Sequence, residues 1–158
     1  KTYWCKQIVE YGLGIYNRQG EESVVCWRSD GLGISKLKKL DIHIWVISTE
    51  KNPVVARRCQ KLGVNYVQNC DDKLSVLIDL LDKYKCSLKH SAFVGNDIND
   101  ILCLEKVGLP IIVADSHKDI NHTALYRTEK KGGKGAVREV CDLIYKYHQL
   151  NSNNDNIK

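Results

Sequence analysis

The chain has 158 residues, 43% hydrophobic and 27% charged, with a net charge of +5 at pH 7; that length fits one domain with a real core, and no apolar run approaches the roughly 20 residues that span a bilayer. Seven scattered cysteines form no Cys-x-x-Cys pair, which argues against a zinc ribbon or redox motif and fits reduced thiols in a cytoplasmic protein. The mild positive charge is diffuse, densest at Lys130, Lys131 and Lys134, so nucleic acid and membrane are not expected partners, whereas an anionic small substrate suits the patch.

The chain opens on a short aromatic segment, Lys1 to Cys5, that reads as a strand. Two β-rich segments, Gln7–Tyr16 and Glu22–Trp27, flank Asn17-Arg18-Gln19-Gly20, which reads as a hairpin turn. Ser29 or Asp30 is placed to cap a helix carrying Ile34, Leu37 and Leu40 at helical spacing. Ile42–Ile47 is an apolar run of the kind buried on both faces of a sheet, and it ends on Ser48-Thr49-Glu50. A helix from Pro53 to Leu62 closed by Gly63, a strand at Asn65–Gln68 and an amphipathic helix from Leu74 to Tyr84 follow. Ala92–Val94 is the next strand, leading into a helix through about Val107. A strand at Pro110–Val113, a helical segment near Asp119–Leu125 and a short strand at Tyr126-Arg127 complete the alternation. The last helix opens at Gly135 or Ala136 and runs to about His148. The expected organisation is one domain over residues 1–150, with a polar, fraying tail at 151–158.

Strands alternating with helices specify a parallel α/β sheet, and such sheets carry their sites beyond the carboxyl ends of the strands. That rule gathers Cys5 to Gln7, Ser48-Thr49, Asp71-Asp72-Lys73, Asn96-Asp97-Asp100 and Asp115 on one rim. Hydroxyl, ammonium and carboxylates together fit a phosphate and metal site. Asp97 and Asp100 are three apart and share a face if a helix begins there. Oxygen donors grouped so suit Mg²⁺; the competing reading is a helix N-terminus whose acids cap free N–H groups. The histidines show no metal-ligand spacing, and Trp4, Trp27 and Trp45 read as core or interface residues.

Five stretches carry a resemblance: Arg28–Ile34 (RSDGLGI), Ile47–Val55 (ISTEKNPVV), Asp71–Leu74 (DDKL), Val94–Asp100 (VGNDIND) and Gly132–Glu139 (GGKGAVRE). From about Tyr16 to Ile144 the chain resembles the haloacid dehalogenase-like superfamily. Within it the match is to the capless branch of 3-deoxy-octulosonate 8-phosphate phosphatase. The same branch includes the phosphatase-like C-terminal module of acylneuraminate cytidylyltransferases, to which the Ser48–Val55 run is most similar. The resemblance implies a three-layer Rossmann-like fold with a mainly parallel sheet, a projecting β-hairpin and no cap domain. It implies Mg²⁺-dependent hydrolysis of a sugar-acid 8- or 9-phosphate. Ser48 would hydrogen-bond the transferring phosphoryl group, and Lys73 would neutralise phosphate charge. Asn96, Asp97 and Asp100 fall on the metal loop, with Asp97 and Asp100 also in the catalytic set. Arg28, Thr49, Lys134 and Arg138 fall to substrate binding. Gly132–Arg138 corresponds to a tail that reaches a neighbouring subunit in a homotetramer.

The same family opens with Asp-x-Asp-Gly after its first strand, the first Asp acting as nucleophile and the second as acid and base. Counting back without gaps from Tyr16, those positions hold Cys5 and Gln7, and no Asp precedes Asp30. A glutamine does not serve as the acid and base. The resemblance therefore supports two expectations. One is a Mg²⁺-dependent sugar-acid phosphatase whose nucleophile motif is lost, the other a non-catalytic tetramerisation or regulatory module of an acylneuraminate cytidylyltransferase, fused or associated.

Overall fold

The computed structural model describes residues 14–20 and 22–155. Two three-residue strands, β1 (Gly14–Tyr16) and β2 (Glu22–Val24), pair antiparallel around Asn17–Gly20, matching the hairpin legible in the sequence. The turn closes through the Gly20 amide on the Asn17 carbonyl at 3.0 Å. Helix α1 (Arg28–Lys38) follows. Strand β3 (Trp45–Ile47), helix α2 (Val54–Leu62) and strand β4 (Asn65–Val67) form one β-α-β unit with β3 and β4 parallel. Helix α3 (Lys73–Lys83) leads to β5 (Ala92–Gly95), short helix α4 (Ile101–Leu104) and β6 (Leu109–Ile112), parallel to β5. Strand β7 (Tyr126–Arg127) adds in parallel to β6, and α5 (Ala136–Asp155) ends the described chain.

The β3–β4 pair and the β5–β6–β7 trio belong to one layer, as the alternation of their side chains shows. Val46, Val94 and Ile111 enter one apolar cluster with α1, α2 and α5 through Ile34, Leu37, Val55, Val140 and Ile144. Their neighbours Ile47, Phe93 and Ile112 enter a second cluster with Leu77, Leu80 and Leu81 of α3 and Leu104 of α4. Successive strand residues point to opposite faces, so both strand groups share the same two helical covers. The result is a three-layer α/β domain. Burying each Leu, Ile or Phe contributes about 1.5–3 kcal/mol, and Phe93, Ile47 and Ile112 are all sealed from solvent.

Four local expectations are corrected. Trp27, not Ser29 or Asp30, occupies the cap position of α1 and makes no side-chain cap bond. Asp30 is instead fully buried, its Oδ1 accepting from the Arg138 amide of α5 at 2.9 Å; a tertiary partner has displaced the local one. The segment after β5 is a 3₁₀ turn plus one turn of α-helix rather than a helix to Val107. Residues Lys118–Thr123 likewise form a 3₁₀ segment. Finally, α5 continues through Asp155, so residues 151–155, read as a fraying tail, are helical, carried on by the helix already begun.

No helix among the described residues is long and apolar enough to cross a membrane.

Candidate functional site

The rim of the sheet is a line of strand exits laced together by hydrogen bonds. At the exit of β3, the Ser48 amide donates to Val67 O at 2.9 Å and the Ser48 carbonyl accepts from the Cys70 amide at 3.1 Å. The Ser48 hydroxyl oxygen accepts from the Glu50 amide at 3.1 Å, which fixes the side chain and leaves its O–H as a donor. Two residues beyond Cys70, Asp72 caps α3 by accepting from the Ser75 amide at 3.0 Å. Lys73 is the first residue of that helix and is only 6% exposed.

The Lys73 ammonium crosses to the exit of β5 and lies 2.6 Å from Asp100 Oδ1. Asp100 is fully buried, and its other oxygen accepts from the Asn96 amide at 2.8 Å and the Asp97 amide at 3.3 Å. The acidic loop is thus folded back on its own last carboxylate. Gly95 makes this possible, because a Cβ there would sit 2.7 Å from Asp100 Cβ. Asp97 is exposed, its Oδ1 accepting from the Ile98 amide at 2.7 Å. Asp97 and Asp100 form a capping box on the 3₁₀ turn, each side chain taking the other's backbone amide, so both acids serve as caps.

The lacing continues outward. The His117 amide donates to Asn96 O at 2.8 Å, joining the exits of β5 and β6, and the Gly132 amide donates to Asp115 Oδ1 at 2.7 Å. The loop after β7 is thereby tied to the same rim. It exposes Lys130, Lys131 and Lys134.

Lys73 and Asp100 are therefore brought together, while Ser48 stands at the exit of β3, with Thr49 beside it and half-buried, and Arg28 is exposed on the first turn of α1. Arg138 lies elsewhere. Its guanidinium is held 2.6 Å from Asp142 in the seam between α1 and α5, where Asp142 also takes Lys36 at 2.7 Å. Burial alone would raise the Asp142 carboxyl, but these two cations hold it below its ordinary value. Cys5 and Gln7 lie outside the described residues.

Two thiols flank the ion pair. Cys70 precedes Lys73, and Cys103 follows Asp100 by one turn; both are buried. Burial pushes both thiols up, with the Asp100 charge adding at Cys103, which reaches about 12. Neither is a thiolate at neutral pH.

Among the described residues no group of three or more His, Cys, Asp or Glu side chains converges. Both Asp100 oxygens are engaged, and the Asp97 side chain caps the Ile98 and Asp100 amides. Mg²⁺ takes about six oxygens in near-octahedral order. The described residues alone do not make that site.

The loop after β7 is held at its other side by a single carboxylate. Glu139 of α5 accepts from Tyr126 Oη at 2.8 Å and the Glu129 amide at 2.9 Å on one oxygen, and from the Lys130 amide at 3.0 Å on the other. Its place in the first turn of α5 was the only local signal. Trp27, read as core or interface, is 49% exposed.

The family model for haloacid dehalogenase-like hydrolases matches residues 57–140. The chain is 38% identical over 138 residues to the 3-deoxy-D-manno-octulosonate 8-phosphate phosphatase of Escherichia coli, covering 87% of this chain and 73% of the relative. Its fold is similar to that of the corresponding phosphatase of Moraxella catarrhalis, solved with magnesium, phosphate and KDO. The TM-score is 0.87 at 31% identity, over 99% of this chain and 93% of the other. The cobalt-bound phosphatase of Haemophilus influenzae matches at a TM-score of 0.81 and 26% identity, over 92% and 87%.

Proposed function

The chain belongs to the haloacid dehalogenase-like hydrolase family, and on that premise we propose that it is a sugar-acid phosphate-binding module of the octulosonate 8-phosphate type that turns its ligand over negligibly. The observation that carries this reading is the buried Lys73–Asp100 pair, 2.6 Å apart. Phosphoryl transfer needs little covalent help beyond positioning and charge neutralisation, and Lys73, Asp100 and Ser48 supply that half. Asp100 fixes the ammonium, whose remaining N–H groups serve phosphate oxygens. The Ser48 O–H donates to another.

The half that breaks bonds is what is missing. A carboxylate nucleophile and an acid–base group are required for a phosphoaspartyl route. Asp30 is sealed against α5, Asp100 is committed to Lys73, and Cys70 and Cys103 are protonated. No Asp precedes Asp30 in the chain. No step is routed here through Mg²⁺, because the described donors do not complete its shell.

A second reading is favoured by the Ser48–Val55 run together with the absent Asp pair: a tetramerising or regulatory module that supports an acylneuraminate cytidylyltransferase. The two readings share an inactive phosphate site and differ in assembly.

Turnover of an aryl phosphate and of a nine-carbon sugar-acid phosphate, measured with Mg²⁺, tests the proposal. Rates at the level of the uncatalysed control are expected. Turnover that disappears in Lys73→Ala would overturn it. For the second reading, light scattering at micromolar concentration should return a tetramer mass, and a monomer mass would oppose it.

A further inference from the structure

The loop between β7 and α5 is fastened more firmly than its composition requires. Thr128, 3% exposed, accepts from the Ala114 amide at 3.1 Å and donates to Lys130 O at 2.6 Å. Asp115 holds Gly132, and Glu139 holds the amides of Glu129 and Lys130 and the Tyr126 hydroxyl. A loop of three glycines and three lysines would otherwise sample many conformations. Here it has one.

That conformation places the loop against Trp27. Gly135 has φ +99°, and a Cβ on it would lie 3.2 Å from Lys130 Cδ and 3.3 Å from Trp27 Nε1. Gly135 is thus flanked by both the indole edge and the Lys130 stem, while about half of Trp27 stays open. Arg58 of α2 adds a cation behind it, Nη2 donating to Trp27 O at 3.4 Å. Trp27 caps α1 and Gly135 precedes α5, and the loop between β7 and α5 is tied to the rim through the Gly132 amide on Asp115 beyond β6. An open aromatic face bordered by ammonium groups matches a polyol that carries a carboxylate. The C–H face of the sugar lies on the ring, and the carboxylate meets Lys130 and Lys134.

We propose that the face formed by Trp27 and the Lys130–Lys134 loop is the subsite for the sugar-acid part of the ligand, with Glu139 the positioning residue that presets it. This rests on the function proposed above and names where its ligand's non-phosphate portion binds. Glu139 does not touch the ligand, since both its oxygens are occupied by the loop and by Tyr126. It acts by removing the ordering cost from the binding step. Glutamine at this position would turn an N–H toward the Lys130 amide and lose a fastening.

The test separates the subsite from the phosphate site. 3-Deoxy-D-manno-octulosonate, which bears no phosphate, and inorganic phosphate are each titrated by calorimetry into the wild type, Trp27→Ala, Trp27→Phe and Glu139→Gln. Sugar-acid affinity should fall roughly fivefold to tenfold in Trp27→Ala, recover largely in Trp27→Phe, and fall severalfold in Glu139→Gln. Phosphate affinity should be the same in all four. Sugar-acid affinity unchanged in Trp27→Ala and Glu139→Gln, or absent in the wild type, overturns the subsite. Equal losses of both ligands in Glu139→Gln overturn its positioning role. A wild type that binds the sugar acid but not phosphate supports the subsite and counts against the phosphate-site reading alone.

Discussion

Removing Asp100 should cost far more than removing the lysine it faces. Asp100 is fully buried and accepts three hydrogen bonds, from Lys73 Nζ at 2.6 Å and from the Asn96 and Asp97 amides at 2.8 and 3.3 Å. Asp100→Ala leaves a nearly buried ammonium without a counter-charge and two loop amides without an acceptor. Breaking a buried pair from one side costs about 3–5 kcal/mol, and orphaned amides about 1–3 kcal/mol more before water enters. About 4–8 kcal/mol is expected in total, a large share of the roughly 5–15 kcal/mol by which domains are stable. Lys73→Met removes the cation but leaves the carboxylate on its two N–H donors, and the thioether fills most of the vacated space. Its cost should be about 2–3 kcal/mol. Urea unfolding followed by circular dichroism gives both values, provided the slopes agree between variants. If the two variants lose equal stability, or Lys73→Met loses more, then Asp100 is not the organising acceptor of the loop and the account of the site is refuted.

Gly95→Ala should destabilise by about 1–3 kcal/mol through overpacking, because its Cβ would meet Asp100 Cβ at 2.7 Å; it should also weaken phosphate binding by moving Asp100, and an unchanged unfolding midpoint would contradict the geometry. The Tyr126 hydroxyl is pushed up to about 12 by its hydrogen bond to Glu139 and then by burial. A raised folded value favours the neutral form, so its stabilisation is complete below the ordinary 10 and is lost as pH rises from 10 toward 12. In a phenolate absorbance titration one tyrosine should titrate late, and that component should vanish in Tyr126→Phe. Asp142 is held below its ordinary 3.8, as Lys36 and Arg138 outweigh the effect of burial. Its contribution is present above that value and is lost as pH falls through the lowered one, so Asp142→Asn should flatten the acid side of a stability–pH curve. An unchanged acid slope would show that the α1–α5 seam does not depend on that carboxylate.

The strands that carry the site were legible because a strand covered on both faces is an unbroken apolar run. Trp45–Ile47, Ala92–Gly95 and Leu109–Ile112 all read that way, and each ends on polar residues at the rim. The α/β class and the meeting of Lys73 with the Asp100 loop followed from that alternation. What was illegible has its partner far away in the sequence. Asp30 looks like a cap because caps are local, yet its Oδ1 accepts from the amide of Arg138, 108 residues on. Asp97 and Asp100 look like a matched pair of ligands because their spacing is helical. One short 3₁₀ turn and a buried lysine turn Asp100 inward instead. Glu139 reads as one more acid on a helix until the loop it holds is seen. Likewise, α5 continues through Asn151 and Ser152, where composition alone signals an end.

The central claim is a phosphate site with its anion-handling half in place and no turnover. Titration of inorganic phosphate followed by ³¹P nuclear magnetic resonance, in the wild type and in Lys73→Met, tests it most directly. Saturable binding in the wild type that is abolished in Lys73→Met is the predicted result. A wild type that does not bind phosphate, or one whose binding is untouched by losing Lys73, would contradict the account.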